Sequence, residues 1–123
     1  MKKYTKTHEW IEVEGDEATI GITEHAAGEL GDVVFIDLPT EGQTFSASDV
    51  IAVVESVKAA GDVYAPVDCE VVAANEDLSA LPDLLNKDSE GEGWLVKVKV
   101  TDAQPLDSLM TEEEYKDFVQ NEE

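Results

Sequence analysis

Glu55-Ser56-Val57-Lys58-Ala59-Ala60-Gly61-Asp62 lies between two β-rich runs, Val50-Ile51-Ala52-Val53-Val54 before it and Val63-Tyr64-Ala65-Pro66 after it. Two such runs joined by a few small residues ending in Gly predict a hairpin. Lys58 stands near its tip, in a chain whose eight bases are all lysines and face 29 acids. A lysine held there is kept off the core and offered to solvent. Its amine can be acylated, which removes the charge and extends a long flexible stem. Ala59, Ala60 and Gly61 leave room for a modifying enzyme. The stretch reads as a chemical attachment point, with an ordinary surface lysine as the alternative.

The flanking sequence predicts a β body for this hairpin. A first strand is expected from about His8 to Glu14, with Ile11 and Val13 on one parity and Glu12 and Glu14 on the other. By the same parity Glu9 points inward and Trp10 away; an acid there is expected at a strand end open to water, since Asp and Glu are rarely buried. Ala18 to Ile22 returns as the second strand. Thr23 caps a short helix, Glu24 to Leu30, that Gly28 weakens and Gly31 stops. Asp32 to Leu38 and Glu70 to Ala74 read as further strands. Leu78 to Lys87 has helical spacing at Leu81, Leu84 and Leu85, with Pro82 at a first helical position.

Trp94, Val96, Val98 and Val100 alternate with Lys97 and Lys99, predicting a strand with the first set inward. Thr111 and Glu114 form a capping box, with Met110 and Tyr115 as a staple across it. Tyr115, Phe118 and Val119 then make one stripe for the sheet, and Gln120 to Glu123 is expected to fray. Gly31-Asp32-Val33-Val34 and Gly61-Asp62-Val63-Tyr64 echo each other, which predicts two half-sheets of similar construction. The expected class is mostly β: a sandwich or barrel with helical additions, in one domain over residues 1–123.

Bulk composition narrows the function. A chain of 123 residues buries roughly 65% of its unfolded surface, enough for a core without staples. Its formal net charge of −21 repels phosphates and anionic lipid, so neither nucleic acid nor membrane is expected as a partner. Solubility, steering toward basic docking surfaces and salt tolerance all fit that acidity. The lone Cys69 has no His or second Cys near it and reads as a small, partly buried hydrophobe. With no apolar run of membrane-spanning length and no leader before Tyr4, a soluble, cytoplasmic protein is expected. There is no Arg, no His pair at metal-ligand spacing and no glycine-rich phosphate loop. An enzyme is not expected. A carrier that presents a tethered group to successive active sites is.

Glu55-Ser56-Val57-Lys58-Ala59 resembles the lipoyl-attachment motif of the glycine cleavage system H proteins. The resemblance runs through Tyr4-Thr5-Lys6, His8-Glu9-Trp10, Gly21-Ile22-Thr23 and Leu30-Gly31-Asp32-Val33-Val34-Phe35. It continues in Asp62-Val63-Tyr64-Ala65-Pro66-Val67 and Gly91-Glu92-Gly93-Trp94-Leu95. It implies a lipoyl-domain-like barrel-sandwich hybrid of two antiparallel sheets with short helices and a C-terminal helix. It also implies a non-catalytic, monomeric shuttle with lipoic acid in amide linkage on Lys58, where Glu55, Ser56, Val57 and Ala59 serve as recognition residues.

The partners implied are a pyridoxal-phosphate glycine decarboxylase, a tetrahydrofolate-dependent aminomethyltransferase and dihydrolipoyl dehydrogenase, with a lipoate ligase or lipoyl transferase installing the arm. In that family the loaded arm folds back onto the protein; Glu9 and Asp62 match family carboxylates near it, and Thr7 is close in sequence. A carboxylate there would stabilise a cationic cargo. Four residues at three sites depart from the family pattern. Cys69 replaces a turn Gly, Gly61 a Ser, and Ser89-Glu90 a Pro-Tyr pair, so altered loop geometry is expected at each.

Other carriers fit less well. Lipoyl domains of 2-oxo-acid dehydrogenase complexes place Asp before the lysine, where Val57 stands, and biotin carriers flank it with Met, where Val57 and Ala59 stand. The 2-oxo-acid dehydrogenase lipoyl domain is the nearest rival carrier, and an H-like protein that only relays lipoate is a further alternative.

Overall fold

The computed structural model describes residues 2–122. Its strands form two antiparallel sheets. In the larger, β1 (Lys2–Tyr4), β2 (Glu9–Glu14), β3 (Glu17–Ile22), β5 (Thr44–Phe45), β8 (Asp68–Ala74) and β9 (Val96–Asp102) run in the order β1-β2-β3-β9-β8-β5. In the smaller, β4 (Val33–Asp37) and β7 (Ala60–Tyr64) flank β6 (Val50–Ser56). The sheets do not close on themselves, so the expected hybrid is a sandwich and its barrel half is not realised. The echoed segments at residues 31–34 and 61–64 do not seed two half-sheets. They feed β4 and β7, the two edges of one sheet.

Alternating apolar residues fill the space between the sheets. Ile11, Ile20, Val71, Val96 and Val98 of the larger sheet meet Val33, Ile36, Val54 and Val63 of the smaller in one buried cluster. Each fully buried aliphatic side chain contributes about 1.5–3 kcal/mol. Cys69 is fully buried in this cluster and pairs with Val100, so it is a core residue of β8 rather than part of a turn. The register slips between Asp68 and Cys69. Burial, with the charge of Asp68 beside it, pushes the thiol up to about 11.

A second cluster covers the outer side of the larger sheet. Trp10 points away from the main core, as expected, but it is buried with Tyr4 and Tyr115, and Trp94, Met110, Phe118 and Val119 pack around them. Tyr4 and Tyr115 stack with ring centroids 4.8 Å apart. The indole of Trp10 lies on Gly21, its pairing partner, where a Cβ would come within 2.8 Å of the ring. The apolar stripe on α4 (Glu112–Glu122) supplies Tyr115, Phe118 and Val119 to this cluster.

Both bonds of the capping box form. Thr111 N–H donates to Glu114 Oε1 at 2.9 Å, and Glu114 N–H to Thr111 Oγ1 at 3.2 Å. Hydrogen bonds from the Thr111 backbone N–H and side chain hold the Glu114 carboxyl below its ordinary range. The helix continues to Glu122 rather than fraying at Gln120, and Glu123 lies outside the described residues. Thr23 caps α1 (Glu24–Leu30) by accepting from Ala26 N–H at 3.2 Å.

Two other expectations are corrected. The single helix over residues 78–87 is two, α2 (Asp77–Ala80) and α3 (Leu84–Asp88). Pro82 disfavours helical geometry at the residue before it, and Leu81 leaves the helix at φ −132°. Pro82 therefore sits in the break, and Leu81 is 58% exposed while Leu78 and Leu85 are buried. In the last strand, Trp94 precedes β9 and joins the aromatic cluster, whereas Leu95 is fully buried. The sequence reading also omitted β1, β5 and a 3₁₀ turn at Gln104–Ser108.

Leu85→Ala should cost about 2–5 kcal/mol in urea denaturation, as core truncations do, and Leu81→Ala within about 0.5 kcal/mol. Equal costs would contradict the broken helix.

Candidate functional site

The hairpin forms between β6 and β7, with Glu55 paired to Ala60. Val57, Lys58 and Ala59 make the loop, and Gly61 sits inside β7 opposite Val54 rather than ending the turn. Ser56 builds the turn. Its N–H donates to the Ala59 carbonyl at 2.7 Å, and its hydroxyl accepts from Lys58 and Ala59 N–H at 3.3 and 3.1 Å. Val57 N–H donates to the Asp32 carbonyl at 3.0 Å, which anchors the loop to the segment before β4. Lys58 is exposed, and Val57 beside it is 70% exposed. Gly31, in the left-handed region at φ 76°, ends α1 beneath the lysine, where a Cβ would sit 3.5 Å from Lys58 Cε. A side chain at Gly31 would be strained by this positive φ, while its Cβ would only touch the lysine stem. The amine faces open solvent on a turn fixed by backbone bonds, which suits an amide-linked arm.

Next to this tip lies an apolar spot. The register slip between Val33 and Phe35 puts one extra residue in β4, and Val34 and Phe35 are both about half exposed. Glu55 and Asp62 are exposed on either side of the hairpin.

Glu9 is the other unusual group. It is 1% exposed, so the expected water-open strand end is wrong. The chain makes a turn from Thr5 to His8, whose N–H donates to the Thr5 carbonyl at 3.2 Å, and His8 adopts φ 71°. This turn aims the hydroxyls of Thr5 and Thr7 at Glu9 Oε1, and both donate to it. Glu9 N–H donates back to Thr5 Oγ1 at 3.0 Å. The other carboxylate oxygen, Oε2, accepts from Tyr64 N–H at 3.2 Å. Burial pushes the Glu9 carboxyl above its usual range, against the pull of these three hydrogen bonds and of nearby His8.

Glu9 and Thr7 are thus brought together, at a cleft of about 270 Å³ that Thr5, Tyr64, Pro66 and Leu109 also line. Asp62 is not among the lining residues. It stands on β7 between Lys58 and Tyr64, and it shares with Ala60 and Tyr64 the face opposite buried Val63. At about 3.3 Å per residue, Asp62 and Tyr64 are about 7 Å apart along the strand. The outward side of β7 is therefore a track from the lysine tip to the Glu9 cleft.

Sequence reasoning missed Thr5 and Tyr64. The hydroxyls two and four residues before an inward acid were a usable signal for Thr5; the Tyr64 contact, between residues 55 apart, had none. It also missed Glu90, which bonds Lys2 Nζ at 3.0 Å, the Tyr4 hydroxyl at 3.3 Å and Glu24 N–H at 3.0 Å. Ser89, at the same departure, is buried and its carbonyl accepts from Trp10 Nε1 at 3.0 Å. Gly61 has room for a Cβ, with Leu30 Cδ2 at 3.5 Å, so its loss of a serine leaves the hairpin intact. Among the described residues no helix is long and apolar enough to cross a membrane.

A two-sheet sandwich with a solvent-facing lysine on a rigid hairpin loop has the layout of a prosthetic-group carrier. The sequence matches the family Glycine cleavage H-protein over residues 2–122. It is 52% identical over 122 residues to a glycine cleavage system H protein of Thermotoga maritima, covering 99% of this chain and 98% of that one. Against the H protein of Phenylobacterium zucineum it is 56% identical over 119 residues, covering 97% and 98%. The crystal structure of a glycine cleavage system H protein from Mycobacterium marinum superposes with a TM-score of 0.88 at 35% identity, covering 99% of this chain and 97% of that one. The chain belongs to the glycine cleavage H-protein family.

A carboxyl whose pKa is higher folded than unfolded binds more protons in the folded state, so its contribution to stability is full below the unfolded pKa and is lost as pH rises through the folded one. Relative to Glu9→Gln, the wild type should therefore lose ground as pH rises above the ordinary carboxylate range, by at most about 1.4 kcal/mol per pH unit. Urea denaturation of both proteins measures this, and a difference independent of pH would contradict it.

Proposed function

We propose that this chain, as one carrier domain over residues 1–123, is the lipoyl shuttle of the glycine cleavage system, with the arm in amide linkage to Lys58. The observation that carries this reading is the rigid, Ser56-built loop that leaves one amine in solvent, on a chain of this family. Lipoate supplies a dithiolane that takes up an aminomethyl group and is later reoxidised. The chain itself is not a catalyst. Its work is to present the arm, to be recognised, and to shield the cargo.

Recognition falls to the residues around the tip. Ser56 and the Asp32 carbonyl fix the loop shape, while Glu55, Val57 and Ala59 are the exposed groups a lipoate ligase or lipoyl transferase meets. Val34, Phe35 and Val57 offer apolar contact area within an acidic surface, a match for basic, apolar docking sites on the decarboxylase, the aminomethyltransferase and dihydrolipoyl dehydrogenase. The formal charge of −21 speeds such encounters at low salt. The site of action is the cytoplasm, with the chain as a monomer.

Shielding falls to the β7 track. An arm laid back from Lys58 along Ala60, Asp62 and Tyr64 reaches the cleft of Thr7 and Glu9. A cationic cargo there would donate a charge-assisted hydrogen bond to the buried carboxylate, which Thr5, Thr7 and Tyr64 hold in place.

Intact mass spectrometry after co-expression with a lipoate ligase should show one lipoyl increment on the wild type and none on Lys58→Arg. An increment on that variant would place the attachment elsewhere. Glu9→Gln and Asp62→Asn should each speed formaldehyde release from loaded protein. Unchanged release in both would remove the shielding role.

A further inference from the structure

We propose that His8, His25 and Glu29 form a binding site for a zinc-class divalent cation, with water completing the coordination. One ligand atom from each of the three lies within 4.8 Å of the others. His25 and Glu29 are one helical turn apart on α1, on the same face, with His25 Nε2 and Glu29 Oε1 2.9 Å apart. His8 comes from the turn before β2, and its ring lies 4.8 Å from that of His25. Residues 17 apart in sequence are joined because Thr23 N–H donates to the His8 carbonyl at 3.0 Å, setting the start of α1 against the turn.

The surroundings have the build of a metal site. A ligating histidine usually has its other ring nitrogen held by a hydrogen bond that fixes the ring. His8 Nδ1 lies 2.7 Å from the Tyr115 hydroxyl, which in turn lies 2.7 Å from Thr23 Oγ1. His8 would ligate through Nε2. Two imidazoles and one carboxylate with an open position suit zinc better than magnesium or calcium, which take oxygen donors. The cleft beside His25, about 540 Å³, carries Glu24, Glu90 and Glu112 against one cation, Lys116, and the chain's net charge favours a cation further.

Ligands of a four-coordinate zinc stand about 2.0–2.2 Å from the ion, closer together than the present envelope. His25 Nε2 and Glu29 Oε1 already stand 2.9 Å apart, so the closing movement is between that pair and His8. Any proton on the imidazole nitrogens that ligate is released to solvent as the cation enters. The bound ion would tie α1 to the Thr5–His8 turn, the turn that holds the hydroxyls on Glu9.

Zinc chloride titrated calorimetrically into the unlipoylated full chain should show one strong equivalent above weak binding by surface acids, and magnesium chloride only the weak phase. At that equivalent the ring protons of both histidines, the only two in the chain, should shift together in NMR spectra. His25→Gln and Glu29→Gln should each weaken the strong phase at least tenfold, whereas Glu41→Gln, exposed and distant in sequence, should not. A strong phase absent from the wild type would overturn the proposal. So would one that survives both substitutions or leaves the histidine signals in place.

Discussion

A buried carboxylate at the start of an interior strand constrains much of this structure. Glu9 opens β2 in the larger sheet and accepts from Tyr64 N–H at the end of β7 in the smaller. Burying an ionised group without partners is costly, and removing one partner of a buried charge commonly costs several kcal/mol. The Thr5–His8 turn, the positive φ of His8 and the two threonine hydroxyls are the means by which the carboxylate stays satisfied. The same bonds cover one backbone donor on β7, an edge strand whose open side is otherwise a site for unwanted pairing.

That junction also orders the function. β7 begins at the lysine loop and ends at Glu9, so one short strand connects the proposed attachment point to a shielded carboxylate. Neither end relies on a flexible segment: the loop is held by Ser56 and Asp32, the cleft by Thr5, Thr7 and Tyr64. In the proposed carrier, motion is left to the arm. A carrier benefits from this division, since a rigid body presents one recognisable surface to several enzymes while a tethered group samples their sites.

What could be read in the sequence was what is local. The hairpin, the α1 cap at Thr23 and the Thr111–Glu114 box depend on residues a few positions apart, and each is present. The inward phase of Glu9 was also readable from the strand's parity. Its burial was not, because Tyr64 and the covering cleft come from distant parts of the chain. Trp10 shows the same limit: parity pointed it away from the core, but α4, about a hundred residues later, covers it. The break at Leu81-Pro82 was legible in principle, since proline restricts the residue before it, and this restriction outweighs the helical spacing of the leucines. The barrel expectation failed on closure, a property of strand order that no single segment carries.

The central claim is that Lys58 makes this chain a carrier whose body does no chemistry of its own. It is tested by glycine-dependent release of carbon dioxide with a purified pyridoxal-phosphate glycine decarboxylase, comparing lipoylated wild type with Lys58→Arg taken through the same lipoylation. The account predicts release that rises with the amount of lipoylated wild type and stays at the enzyme-alone level with the variant. Equal release with both, or none with either, would contradict it.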